Sequence, residues 1–189
     1  MHKTDNPEPS FHYICTRAEA VEKINTHDRF FVSNCGCREG NEEGCKRSRM
    51  DVCLFFDDKE MTGTGSDWKQ VDRAFVDGIL KEAAEKHLVY RPFRYNKDRT
   101  RDQGVCFCCD DCCGYFGGDE WGCDPSGYIE QTDMDACTHC GECEAVCYFN
   151  ARKMVEGKLV IDRAKCAGCA LCLDVCPEDC IKMVQRDGS

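Results

Sequence analysis

The sequence has no run approaching the roughly 18 consecutive apolar residues of a membrane span, which argues against a spanning helix. It also lacks a surplus of positive charge: 25 Lys and Arg against 35 Asp and Glu leave a formal net charge of -10. Phosphate binding needs a basic footprint, so no nucleic-acid partner is expected. The segment Met1 to Ser10 is polar with two prolines and no apolar stretch follows it, so no secretory signal is read there. A reducing, cytoplasmic setting is therefore expected. The acid surplus suits steering onto a basic docking face, and it suits plain solubility equally well.

What the chain has in excess is cysteine, twenty in 189 residues. Such enrichment means a disulfide scaffold or metal, and in a reducing compartment thiols are read as metal ligands. Cys166, Cys169, Cys172 and Cys176, followed by Pro177, stand at the C-x2-C-x2-C-x3-C-P spacing of a bacterial-type iron–sulfur loop. Cys137, Cys140, Cys143 and Cys147 repeat the spacing, each 29 residues before its counterpart, and Lys153-Met154-Val155 answers Lys182-Met183-Val184 at the same offset. A whole structural unit has been duplicated.

On these residues the chain resembles the two-cluster ferredoxins, over about residues 133 to 185. The resemblance implies two [4Fe-4S] clusters, one held by Cys137, Cys140, Cys143 and Cys176 and the other by Cys166, Cys169, Cys172 and Cys147. Tyr148 stands where the second repeat has Pro177, which predicts a looser exit from the first loop. Cys180 answers Ala151 and is read as a buried free thiol. His139 is read as an exposed loop residue near a cluster, and it is not needed as a ligand.

Before the repeat, Phe11 to Cys15 suggests a short strand. Thr16-x-x-Glu19 is a capping box that opens a helix with Val21 and Ile24 as its buried stripe. Phe30 to Val32 reads as a core strand delivering the chain into Asn34-Cys35-Gly36-Cys37, and Cys45 and Cys53 follow in a charged loop. Asp57 to Asp67 reads as an exposed loop. An amphipathic helix is predicted over Asp67 to His87 on Trp68, Val71, Phe75, Ile79 and Ala83, then a strand over Leu88 to Phe93. The basic run Arg91, Arg94, Lys97, Arg99, Arg101 reads as a solvated loop, with a docking patch as the alternative.

Val105 to Tyr115 carries Cys106, Cys108, Cys109, Cys112 and Cys113 with two aspartates among them, a pattern no packing argument requires. Cys106, Cys109 and Cys112 share the C-x2-C-x2-C spacing of the tail, which leaves Cys108 and Cys113 to support them or to serve a different ion. Cys35-x-Cys37-Arg38, Val52-Cys53-Leu54 and the cysteine-packed loop resemble the N-terminal region of uncharacterised ferredoxin-domain proteins of anaerobes, over about residues 12 to 120. That resemblance implies that Cys35, Cys37, Cys45 and Cys53 meet the cysteines of the 106–113 stretch. A further iron–sulfur cluster, tetrahedral zinc, or a reactive thiol pair would each suit the meeting point. Cys15 and Cys123 receive no role.

The fold expected is α+β: a small α/β metal-site domain over residues 11–123, a linker over 124–132, and a two-cluster ferredoxin-like domain over 133–185. Three functions follow from it. The chain is an electron carrier, or an electron-transfer subunit of an oxidoreductase, relaying single electrons between the clusters and a redox partner protein. Alternatively it is an oxidoreductase whose N-terminal site meets a small-molecule substrate, or a redox or metal sensor with structural zinc.

Overall fold

In chain order the elements are β1 (His12–Tyr13), α1 (Arg17–Asn25), β2 (Phe30–Ser33), α2 (Gly36–Glu39), β3 (Cys53–Phe55), β4 (Lys69–Val71), α3 (Arg73–Glu85), β5 (Val89–Arg94), β6 (Asp102–Cys108), β7 (Cys123–Asp124), β8 (Tyr128–Thr132), α4 (Glu142–Ala145), β9 (Arg152–Val155), β10 (Lys158–Ile161), α5 (Leu171–Asp174) and β11 (Ile181–Gln185). They come from a computed structural model that describes residues 8–59, 65–117 and 123–186. Residues 60–64 of the expected 57–67 loop lie outside that range.

Seven strands form one sheet in the order β4-β2-β3-β6-β5-β1-β7, antiparallel except for the pairing of β1 with β7. α1 starts at the predicted capping box: Thr16 Oγ1 accepts from the Glu19 amide at 3.2 Å, and Glu19 Oε2 accepts from the Thr16 amide at 2.8 Å. Such a cap contributes about 1 kcal/mol. Ala20 joins Ile24 in the buried stripe, and Val21 is only half-buried.

The long helix is shorter than its periodicity suggested. Asp72 caps α3 by accepting from the Phe75 amide at 2.9 Å, so residues 67–71 are excluded from the helix and 69–71 pair as β4 with β2. Trp68 therefore packs outside the helix, 5.5 Å from the Phe31 ring and 4.7 Å from that of Phe55. The apolar spacing of Trp68 and Val71 continued the helical stripe by coincidence, and the Asp72 side chain sets the true start.

The central feature for function is the alternation along β6. Successive strand residues face opposite sides of a sheet. Val105, Phe107 and Cys109 pack with Ala20 and Ile24 of α1 and with Val76, Ile79 and Ala83 of α3. Cys106 and Cys108 face the other side. Cys106 packs there with Cys53, Phe55 and Phe93, and both pack in an apolar cluster with Val146, Ala167 and Leu171 of the duplicated segment. One strand thus divides the cysteines between two faces.

The duplicated segment is built from two antiparallel ribbons, β9–β10 and β8–β11, with α4 and α5 each following a cysteine loop. Its repeat extends to the backbone: positive φ recurs at His139 (57°) and Gly168 (76°), at Gly141 (85°) and Ala170 (65°), and at Asn150 (54°) and Asp179 (48°). Residues 128–132, expected within a linker, are instead strand β8, paired over its whole length with β11. The Pro, Ser and Gly of the preceding turn masked a strand whose partner lies about fifty residues downstream.

Gly168 tolerates no side chain, since a Cβ there would stand 2.1 Å from the Tyr128 carbonyl oxygen in a backbone at φ +76°. Gly168→Ala is expected to cost about 1–3 kcal/mol. It should also loosen the loop carrying Cys166 and Cys169 before that carrying Cys137 and Cys140. Retention of iron during anaerobic gel filtration would read the difference.

Candidate functional site

Two spaces lie inside the duplicated segment. One is lined by Cys137, Cys140, Cys143 and Cys176. The other is lined by Cys147, Cys166, Cys169 and Cys172. In each, three cysteines come from one loop and the fourth from the other repeat, because each short helix returns the last cysteine of its loop toward the opposite space. Burial pushes the Cys169 and Cys172 thiols up to about 12, so without metal both stay protonated. Metal binding here must release protons.

Arg152 lines both spaces and is 2% exposed. Its Nη1 donates to Cys143 Sγ at 3.4 Å, and its Nη2 donates to Glu130 Oε2 at 2.6 Å and to Thr132 Oγ1 at 2.8 Å. Arg163 Nε stands 3.0 Å from Glu130 Oε1. A buried charge needs such partners. Nothing in the spacing of cysteines pointed to this network, although an arginine one residue after the small apolar Ala151 was a visible anomaly.

Cys180 lines the first space and lies 3.5 Å from Cys176 Sγ, buried as expected. His139 accepts the Leu159 amide at Nδ1, 3.1 Å away, and that nitrogen is 3.9 Å from Cys137 Sγ. Its ring is thereby held as a structural acceptor. Tyr148 is anchored and not loose: the Arg47 guanidinium donates to its hydroxyl and lies 4.8 Å from its ring centre, and Phe116 packs edge-on at 5.8 Å. The residue that replaces proline ties the first cysteine loop to the N-terminal part of the chain.

The N-terminal cysteines do not gather as one set. The expected wrap of Cys106, Cys109 and Cys112 is absent, because the alternation of β6 sends Cys106 to the opposite face from Cys109. Cys109 instead meets Cys45 at 3.6 Å and Cys112 at 3.7 Å. Cys106 meets Cys53 at 3.8 Å. Cys108 and Cys113 pack in one cluster with Cys106, and Cys37 shifts the titration of both Cys35 and Cys113, so the thiols of Cys35, Cys37, Cys113, Cys108, Cys106 and Cys53 form a second group. Hydrogen bonds from Cys113 and Cys35 hold the Cys37 thiol far below the usual range. The cysteines of residues 35–53 do therefore meet those of 106–113, but in two groups.

Each group has a buried arginine. Arg91, read from sequence as part of a solvated run, is 3% exposed; its Nη1 donates to Cys113 Sγ at 3.6 Å, and it lies 4.6 Å from the Tyr115 ring centre. Burial alone would lower its pKa, but Cys108, Cys106 and Cys123 beside it outweigh burial and raise it. Its Nε and Nη2 have no hydrogen-bond partner among the described residues. Cys123, unassigned from sequence, belongs to this surround. His12, with Nε2 4.0 Å from Cys106 Sγ, is lowered to about 3 by burial and by Arg91, so it is neutral at physiological pH. Arg38, 1% exposed, lies beside Cys45 and Cys112 of the other group, with Cys35 also close to it. Cys15 is buried in the core with Ala20 and Ile24 of α1, in the same apolar cluster as Cys109.

Among the described residues no helix is long and apolar enough to cross a membrane. Comparison with known proteins identifies a 4Fe-4S dicluster domain over residues 136–180. The chain is also similar to Ferredoxin-1 of Chlorobaculum tepidum, at 42% identity over a 53-residue alignment that covers 86% of that protein and 25% of this chain. All the cysteines that line the two spaces lie in the matched region. Through this C-terminal segment the chain belongs to the dicluster ferredoxins.

Proposed function

We propose that the chain carries single electrons along a line of centres from a partner protein to the N-terminal sheet, or back. Cys137, Cys140, Cys143 and Cys176 would hold one [4Fe-4S] cluster, and Cys147, Cys166, Cys169 and Cys172 the other. The two spaces fit that group, since each offers at least four thiols at its wall, Cys180 being a fifth in the first, and a buried cation beside them. The clusters supply the one-electron chemistry; the protein sets their potentials by burial, charge and hydrogen bonds to sulfur. Arg152 does this for both.

A further iron–sulfur centre is proposed on the face of the sheet that meets the duplicated segment, with ligands drawn from Cys35, Cys37, Cys53, Cys106, Cys108 and Cys113. The observation that carries it is Arg91: a buried guanidinium with unsatisfied donors among thiols is explained by an anion beside it. Val146 and Ala167, which adjoin Cys147 and Cys166, pack in one apolar cluster with Cys108 and Cys113. The nearer ferredoxin cluster would thus be separated from this centre by side-chain packing alone.

The far end of the line is acidic. Asp133, Asp135, Glu142, Glu178 and Asp179 are exposed around the space lined by Cys140, itself exposed. A partner with a basic face would be steered there. Raising salt from about 50 to 300 mM should slow electron exchange with a cationic acceptor, and Glu142→Lys with Glu178→Lys should slow it further, with both potentials nearly unchanged. Stopped-flow reduction of cytochrome c would show it, and a rate indifferent to salt would place docking elsewhere.

Iron and acid-labile sulfide counted on anaerobically purified protein test the whole reading. About eight irons per chain are required by the C-terminal segment, and about four more, lost in Cys113→Ala, by the centre at Arg91.

A further inference from the structure

We infer that Cys45, Cys109 and Cys112 form a separate site for one tetrahedral, thiolate-binding divalent ion of the zinc class, on the helix-covered face of the sheet. It rests on the reading of the N-terminal cysteines as metal ligands, but it assigns these three to a different occupant from the iron–sulfur centre at Arg91.

Distances separate the two kinds of site. Thiolates about 2.3 Å from one tetrahedral ion stand about 3.8 Å from each other, whereas cubane ligands bind different irons and stand farther apart. The trio shows 3.6 Å between Cys45 and Cys109 and 3.7 Å between Cys109 and Cys112, with all three sulfurs within 4.8 Å of one another. Among the described residues this is the one group of three or more metal-binding side chains so close. The four cysteines around each ferredoxin space, which serve as an internal comparison, contain no such triple.

The scaffold explains how a cysteine 64 positions away is brought there. The two aspartates between Cys109 and Cys112 hold the loop of Cys45: Asp111 Oδ2 accepts the Lys46 amide at 2.8 Å, and Asp110 pairs with Arg47 at 2.9 Å. Cys109 and Cys112 are themselves a C-x2-C pair on a turn closed by the Cys113 amide and the Cys109 carbonyl at 3.3 Å. Such a knuckle is a common half of a zinc site.

Charge closes the argument. Arg38 is anchored by donating from Nη1 to Ser48 Oγ at 3.2 Å and from Nη2 to the Phe107 carbonyl at 2.8 Å, while its Nε has no partner among the described residues. A divalent ion with three thiolates carries one net negative charge, and Arg38 beside it makes the buried assembly neutral. Cys35, the other thiol near Arg38, is engaged with Cys37. Three protein ligands leave the fourth corner to solvent or an exogenous ligand.

The test is metal and sulfide analysis of the full chain, with Co(II) replacing the non-iron ion so that its absorption reports thiolate coordination. One non-iron divalent ion per chain is expected in the wild type. It should be lost in Cys45→Ala, Cys109→Ala and Cys112→Ala with iron and sulfide unchanged, and kept in Cys113→Ala and Cys35→Ser. Unchanged dicluster EPR signals and circular dichroism would show that each variant is folded. If Cys45→Ala lowers iron and sulfide together, the trio belongs to a cluster and the single-ion site is overturned, while the N-terminal cluster reading survives. If Cys35→Ser also releases the ion, the three-thiolate assignment is wrong. Failure of the wild type to hold or take up any non-iron ion overturns the site outright. Iron unchanged in Cys113→Ala counts against the Arg91 centre alone.

Discussion

Replacing Cys176 by serine is expected to remove the same cluster as replacing Cys137, Cys140 or Cys143, and to leave intact the cluster nearest to Cys176 in sequence. The reason is spatial: Cys176 lines the cavity of the first loop, and Cys147 lines that of the second. Cys176→Ser and Cys143→Ser should therefore lose about four irons each, or retain a weakened cluster, and share one residual EPR signal. Cys147→Ser should match Cys172→Ser and share the other. Variants that instead group by loop, with Cys176 alongside Cys166 to Cys172, would mean that each repeat closes its own cluster. That outcome would also leave the two loops free to separate, so thermal loss of iron in wild-type protein would show two independent phases.

Duplication made the C-terminal architecture readable, because all that mattered there is local. Four cysteines at fixed spacing, a recurring left-handed residue and a ribbon after each loop follow from about thirty residues of chain, and the second copy checks the first. The hairpin turn at Glu156-Gly157, with φ of 50° and 76°, is likewise local, a glycine turn between apolar residues. The N-terminal site resisted for the opposite reason. Whether Cys106 groups with Cys109 or with Cys53 depends on where β6 ends, since a period of two separates neighbours and reunites residues from distant strands. A spacing of three residues means a shared corner in a loop and opposite faces at the end of a strand.

Arg91 and Arg152 were opaque on other grounds. An arginine is charged in any context, and a run of basic residues is ordinarily solvated, so burial becomes visible only when the partner that offsets desolvation is known. The partner of Arg152 is Glu130, in a stretch whose Pro-Ser-Gly start suggested a linker. The partners of Arg91 are cysteines on a neighbouring strand and on the turn after it.

Arg152→Met is expected to destabilise the C-terminal segment by about 3–5 kcal/mol, because it strands Glu130, which is 2% exposed, without its closest counter-charge. Arg163 reaches Glu130 from the surface, 54% exposed at its side chain, and its hydration lets it offset little of that loss. Adding Glu130→Met should recover most of the stability, since an apolar pair of similar volume leaves no buried charge, and the double variant should lie well above the sum of the singles. Redox behaviour should not recover with it. A reduced cluster carries one more negative charge, which the Arg152 guanidinium stabilises from its place against both cavities, so its removal should lower both potentials. Voltammetry of the double variant separates the two roles: restored stability with both potentials still low means that Arg152 sets the driving force for electron transfer, whereas potentials that return with stability mean that it serves only to hold β8 against β9.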